Sequence, residues 1–268
     1  MAWFRRKRTV RQRMATRSRD VRKAVAQLDQ PWARSWFARL LRELLLQFVL
    51  EPLIEYYTRR RATGREKLAQ LEGPCILVAN HTSHIDTPII LGALPRKLRR
   101  RTAVAAAADY FYRNRLVAAL VSLFFNTVPV QRKGGGMSEG ATDHLDRLLG
   151  QGWNLLLYPE GTRNTERRAR RMRRGAAVLA DRHRLPVVPI RLSGTREAMP
   201  PGTAWPKRLR RGMLLRRHRV EICFGEPIPP DEDPRTMIER VQGFFDGVDP
   251  NSELPAPKAP DRELAPTR

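Results

Sequence analysis

No stretch of this 268-residue chain reaches the roughly 18 uninterrupted apolar residues that a helix needs to cross a bilayer, so something other than a spanning helix must explain any membrane attachment. The basic N-terminus is followed by neither an apolar core nor a small-residue cleavage site, which argues against a secretory signal. Cysteine is scarce. Cys75 and Cys223 each sit inside an apolar, strand-like run and read as two buried free thiols in a reducing compartment, not as a disulfide framework. Acidic residues are outnumbered, 27 against 51 lysines and arginines, which leaves a formal net charge of +24. Such a surface selects polyanions, either nucleic acid or an anionic membrane. No internal repeat is present.

What the chain does have is organised around Cys75-Ile-Leu-Val-Ala-Asn-His-Thr-Ser-His-Ile-Asp-Thr-Pro88. The run Cys75 to Ala79 has the aliphatic content of a buried strand, and it breaks into a polar cluster of Asn80, His81, Ser83, His84 and Asp86. The apolar residues that follow carry Pro88 near their start, as the first turn of a helix does. A buried strand that releases polar side chains at its C-terminal end is the usual address of a site in an open α/β sheet. A second run, Asn154 to Leu157, ends the same way in Tyr158-Pro-Glu-Gly-Thr-Arg163. There Gly161 permits close backbone approach, and Arg163 beside turn amides suits a phosphate.

From Gly64 on, strands are expected at residues 75–79, 102–107, 128–131, 154–157, 187–192 and 220–224, and helices at 86–94, 116–124, 137–149 and 170–182. A last amphipathic helix is expected over 234–246. This alternation predicts an α/β fold with a mixed, largely parallel sheet flanked by helices. Ahead of it, residues 1–30 form a basic arm expected to be disordered, and residues 249–268, rich in Pro, Ala and charge, form a disordered tail. Residues 31–63 read as an amphipathic helical segment for membrane association. Arg39, Glu43, Gln47, Glu51 and Glu55 recur every four residues as a narrow polar stripe, while leucines, Phe48 and Val49 fill the rest. That apolar face either packs on the domain or lies in a bilayer interface, with Trp32, Trp36, Tyr56 and Tyr57 at its ends. Pro52 is expected to kink or end the helix.

The first cluster admits two chemistries. His81, His84 and Asp86 are too few for a structural zinc site, and the other histidines offer no paired spacing, so no metal is expected. The alternative is general-base catalysis, with a carboxylate five residues after a histidine holding its ring across the turn. The substrate's own hydroxyl then attacks, without a covalent intermediate.

The residues at both strand ends resemble a known family. Asn80-His-Thr-Ser-His-Ile-Asp86 resembles the Asn-His-x-x-x-x-Asp motif of the glycerolipid (lysophosphatidic acid type) acyltransferases. Tyr158-Pro-Glu-Gly-Thr-Arg163 resembles their Phe-Pro-Glu-Gly-Thr-Arg motif, with Tyr for Phe. Val128-Pro-Val-Gln-Arg132 and Leu185-Pro-Val-Val-Pro-Ile190 resemble two weaker blocks in the same order, although Asn126-Thr127 stands where the family usually has glycine. The resemblance implies an acyltransferase domain over 64–248, with His81 as base and Asp86 as its orienting partner. It assigns Arg132, Glu160, Gly161, Thr162 and Arg163 to the lysophospholipid headgroup. The donor it implies is acyl-CoA or acyl carrier protein as co-substrate, with no cofactor, and the acceptor is lysophosphatidic acid or a related lipid. Its implied location is the cytoplasmic face of the cell membrane, peripheral or monotopic. The arginine runs at 167–174 and 207–219 then read as a solvated face or a contact for anionic lipid. Nucleic acid is not expected as a partner, because the runs lack interleaved aromatics.

Overall fold

The structure is a computed structural model that describes residues 27–112, 114–130, 142–161, 172–211, 214–230 and 232–247. Residues 1–26 of the expected arm, the expected tail, and residues 131–141 and 162–171, which include the starts of the helices expected over 137–149 and 170–182, lie outside these. After a short 3-10 turn, helix α1 (Trp36–Leu45) runs through a π-helical turn (Leu46–Leu50) into α2 (Glu51–Tyr57). Then follow β1 (Thr58–Thr63), β2 (Ile76–Ala79), α3 (Asp86–Ala93), α4 (Arg96–Arg99), β3 (Thr102–Ala107), α5 (Ala108–Phe111), α6 (Arg115–Phe125) and β4 (Thr127–Val130). The rest comprises α7 (Asp143–Gly150), β5 (Asn154–Leu157), α8 (Gly175–His183), β6 (Val187–Ser193), α9 (Thr195–Ala198), β7 (Leu209–Arg211), β8 (Leu214–Arg216), β9 (His218–Phe224) and α10 (Pro234–Asp246).

Seven strands make one sheet in the order β1-β9-β6-β2-β5-β3-β4. The five from β6 to β4 are parallel, β9 runs antiparallel to β6, and β1 runs parallel to β9. Alternate residues of each strand enter opposite layers. Leu77 and Ala79 of β2 join α3 in one core, and Ile76 and Val78 join α7, α8 and α10 in the other. Both faces of the central strands are therefore covered, which is why they read as continuous aliphatic runs. The mixed, largely parallel sheet flanked by helices is the architecture the sequence led us to expect.

Several boundaries differ from expectation for local reasons. β1, Thr-Arg-Arg-Arg-Ala-Thr, has no apolar alternation to mark it, yet it pairs with β9 along its whole length. The segment expected to be helical up to residue 63 therefore gives its last six residues to the sheet. Charged side chains suit this position, since β1 is an edge strand and arginines discourage further pairing. The break expected at Pro52 comes one turn earlier: in the π turn the Glu51 N–H donates to Leu46 O, and Pro52 falls in the first turn of α2, where its missing donor is tolerated. The hairpin β7–β8 was not foreseen. Asn126 ends α6 with a φ of 50°, the left-handed region glycine favours, and asparagine is among the few other residues that adopt it readily. Both cysteines are free. Cys75 is buried and burial pushes its thiol up to about 12, whereas Cys223 is only half-buried.

Helix α1 is inverted relative to an ordinary amphipathic helix. Its buried face holds Arg42 and Glu43, each only 6% exposed, beside Ala38. Arg42 donates from Nε to Leu123 O (2.7 Å) and from Nη2 to Ala33 O (2.6 Å) and Ser122 O (3.0 Å). Glu43 accepts two hydrogen bonds from Arg99, at 3.0 and 2.8 Å. The opposite stripe, Trp36, Leu40, Leu44 and Phe48 at spacing four with Phe37 beside it, faces outward, and Trp36 is 70% exposed. Helix α6, packed against α1, exposes Leu116, Val117 and Leu120. Among the described residues no helix is long and apolar enough to cross a membrane.

Candidate active site

β2 and β5 are adjacent parallel strands with Val78 opposite Leu157, so the two polar clusters emerge side by side at the C-terminal edge of the sheet. Asn80 fastens the first turn to β6. Its side-chain amide donates to Leu192 O (2.9 Å) and accepts from Leu192 N–H (2.7 Å), as a further strand residue would. Ser83 Oγ donates to Met199 O (2.8 Å), and Thr82 Oγ1 lies 2.9 Å from Thr195 Oγ1. The turn is thus held on three sides before any substrate arrives.

Asp86 opens α3 and is fully buried. Its Oδ2 accepts from the backbone N–H of Thr82 (2.7 Å) and Ser83 (2.8 Å) and lies 2.9 Å from His81 Nδ1. A carboxylate there holds the proton on Nδ1, which leaves Nε2 with its lone pair. The His81 ring stacks on Tyr158 with centroids 4.2 Å apart, and the Tyr158 hydroxyl is bonded to Thr87 Oγ1 at 2.8 Å. Burial, aided by the Asp86 charge and opposed by the Thr87 hydrogen bond, raises the Tyr158 pKa, so the phenol stays neutral beside the imidazole. Glu160 Oε1 accepts the His81 backbone N–H at 3.2 Å, which links the two clusters directly.

Of the residues the sequence singled out, the structure brings His81, Asp86, Glu160 and Gly161 together, and Arg132, Thr162 and Arg163 lie outside the described residues. Gly161 adopts a φ of 70°. The Arg173 guanidinium lies directly against it, so that a Cβ there would meet Cζ at 2.7 Å. Sequence reasoning left Tyr158, Thr87 and Asn80 without roles and grouped Arg173 with a basic run. The tyrosine at the motif's first position was the one signal that could have marked the aromatic shelf. The sequence also contains Gly136-Met-Ser-Glu-Gly140, which has the spacing of a nucleophile elbow. Ser138 lies outside the described residues. Among the described residues no three His, Cys, Asp or Glu side chains converge to hold a metal ion, and the His84 ring stacks on Tyr110 at 6.2 Å.

His81, His84, Tyr158 and Gly161 line one end of a cavity of about 820 Å³. Its walls are mostly apolar, with Leu50, Leu53 and Ile54 from the π turn and α2, Phe111, Val121 and Phe125 around α5 and α6, and Trp205. Arg173 and Arg174 stand at the polar end. A histidine held by a carboxylate beside a mostly apolar volume, with arginines on the same wall, fits a substrate that has a hydroxyl, a long hydrocarbon chain and an anionic group.

A family model described as Acyltransferase matches residues 59–193. Similar curated proteins include the chloroplastic 1-acyl-sn-glycerol-3-phosphate acyltransferase BAT2 of Brassica napus, 28% identical over 166 residues, which are 62% of this chain and 44% of that protein. N-acylphosphatidylethanolamine synthase of Arabidopsis thaliana is 32% identical over 178 residues, 62% of this chain and 59% of that protein. The chain thus spans about half the length of the curated relatives it matches. The crystal structure of the 1-acyl-sn-glycerophosphate (LPA) acyltransferase from Thermotoga maritima shares the fold, with a TM-score of 0.57 at 20% identity over 82% of each chain.

Proposed function

The chain belongs to the acyltransferase family, and on that premise we propose that it transfers a fatty acyl group from a thioester to the free hydroxyl of a lysophospholipid, most simply lysophosphatidic acid. The observation that carries the reading is the His81–Asp86 pair, 2.9 Å apart, at the end of the apolar cavity. His81 Nε2 takes the proton of the acceptor hydroxyl as its oxygen attacks the thioester carbonyl. The tetrahedral intermediate then expels the thiolate, which takes the proton back from the imidazolium. Asp86 stabilises the imidazolium between these steps. No residue becomes acylated, so Ser138→Ala is expected to leave turnover within about twofold of wild type, and loss of activity in that variant with its fold intact would restore a serine nucleophile.

The donor is acyl-CoA or acyl carrier protein, and residues Arg132, Glu160, Gly161, Thr162 and Arg163 are proposed to surround the headgroup. Thiol release from palmitoyl-CoA by the purified protein, with and without lysophosphatidic acid, tests the reaction. Release that requires lysophosphatidic acid supports it. Release that requires phosphatidylethanolamine instead would select N-acylation of an amino lipid, the reading favoured by the likeness to N-acylphosphatidylethanolamine synthase. No release with any acceptor or donor would leave a basic membrane-binding or nucleic-acid-binding protein that keeps the fold.

We further propose that the outward stripe of α1 docks in the interface of an anionic membrane, at the cytoplasmic face of the cell membrane. The inverted helix supports this, because Trp36, Phe37, Leu40, Leu44 and Phe48 are exposed among the described residues while Arg42 and Glu43 are tied inward. Burying an exposed Trp or Phe in the interface contributes about 1.5–3 kcal/mol each. Trp36→Glu combined with Phe48→Glu should therefore weaken binding to phosphatidylglycerol vesicles by about tenfold or more while leaving the unfolding midpoint unchanged. Undiminished binding would place the contact elsewhere.

A further inference from the structure

Arg173 comes from outside both motifs, yet its position is fixed by the second one. Its backbone N–H donates to Pro159 O at 3.0 Å, which folds residues 172–174 back along the turn that ends β5. Its guanidinium then lies across Gly161, where a side chain would meet Cζ at 2.7 Å, Nε at 2.8 Å and Nη2 at 3.0 Å. Gly161 is favoured by its φ of 70°, and the guanidinium occupies the space that a Cβ there would take. Glu160, the next residue, accepts the His81 backbone N–H, so the guanidinium and the imidazole are held by consecutive positions of one turn and line one cavity.

We propose that Arg173 binds the phosphate monoester of the acceptor; the inference rests on the lysophosphatidic acid reading above and adds the residue that selects the headgroup. A guanidinium presents a planar fork of donors that matches a phosphate, and its charge is retained at any working pH. The distance between phosphate and reacting group decides between acceptor and donor. In a glycerol 3-phosphate headgroup the phosphate sits one carbon from the hydroxyl that is acylated, so its binding group has to stand beside the base. In coenzyme A the whole pantetheine arm separates the phosphates from the thioester, so a group held on the same turn that fastens His81 is badly placed for them.

The test compares wild type, Arg173→Gln and Arg173→Lys with 1-oleoyl-glycerol 3-phosphate and palmitoyl-CoA, and adds sn-glycerol 3-phosphate as an inhibitor competitive with the acceptor. Arg173→Gln is expected to raise the acceptor KM and the inhibitor Ki in parallel, each by about tenfold or more. The donor KM should stay within twofold and the unfolding midpoint unchanged, and Arg173→Lys should recover part of the loss. A rise in the donor KM instead, or no change in either constant, overturns the assignment while leaving the reaction intact. A wild-type enzyme that does not turn over 1-oleoyl-glycerol 3-phosphate removes the reading beneath it, and is told apart by failing before any variant is compared.

Discussion

Replacing His81 with alanine is expected to lower turnover by at least about 100-fold, which is roughly 3 kcal/mol of transition-state stabilisation, with the fold intact. The alcohol of a lysophospholipid is a poor nucleophile unless its proton leaves as the carbon–oxygen bond forms. On the proposed mechanism His81 takes it, with Nδ1 committed to Asp86 and Nε2 left as acceptor on the cavity wall. The structural cost of the substitution is small, because the ring contributes packing against Tyr158 while the turn is held by Asn80, Thr82, Ser83 and Asp86. Thiol release and product formation should fall together. A well-folded variant that keeps turnover within about tenfold of wild type would mean that proton removal is carried by another group. Asp86→Asn is a harder experiment to read. The carboxylate also accepts two backbone N–H groups of the same turn, so the loss in that variant would combine chemistry with a loosened loop.

The central sheet was legible because its strands are buried on both faces and are bounded by turn residues, so aliphatic runs at 75–79, 102–107, 154–157 and 187–192 could be read directly and match the strands to within a residue. The pairing of His81 with Asp86 was legible from spacing and from resemblance. That the two clusters meet was not, since it depends on β2 and β5 lying side by side, and strand order is a property of the whole sheet. β1 was illegible for the opposite reason: an edge strand needs no apolar face, and three arginines carry no strand signal. Arg173 looked like one member of a basic run, and only the close approach to Gly161 distinguishes it from its neighbours. In α1 the four-residue polar stripe was plain, but periodicity reports that a helix has two faces and not which one is inside. The side chains that settle the question, Arg42 and Glu43, have their partners in α6 and α4, 81 and 56 residues further along the chain.

Arg42→Ala is accordingly expected to be among the most destabilising substitutions in the N-terminal helices, by about 3 kcal/mol or more for the docking of α1. The Arg42 pKa is held near 10, lowered chiefly by burial, with Glu43 opposing and Arg34 and Arg39 adding to it, so the guanidinium remains charged at neutral pH. It serves as a cation at the C-terminal end of α6, where Ser122 and Leu123 present carbonyls and the helix dipole is negative. Removing it takes from the Leu123 carbonyl the Nε donor, and from the Ala33 and Ser122 carbonyls the Nη2 donor they share, and leaves Glu43 as the main polar tether of α1. With that tether halved, the helix loses much of what keeps its leucine and phenylalanine stripe turned outward, and rolling that stripe inward becomes the favoured way to bury it. Hydrogen exchange should report this as lost protection of the α1 amides, with the amides of β2 and β5 still protected. Vesicle binding should weaken in the same variant although no outward-facing residue has been changed. Unchanged protection of α1 would show that its apolar contacts, Ala38 and Leu46 among them, hold the helix without help from the buried arginine.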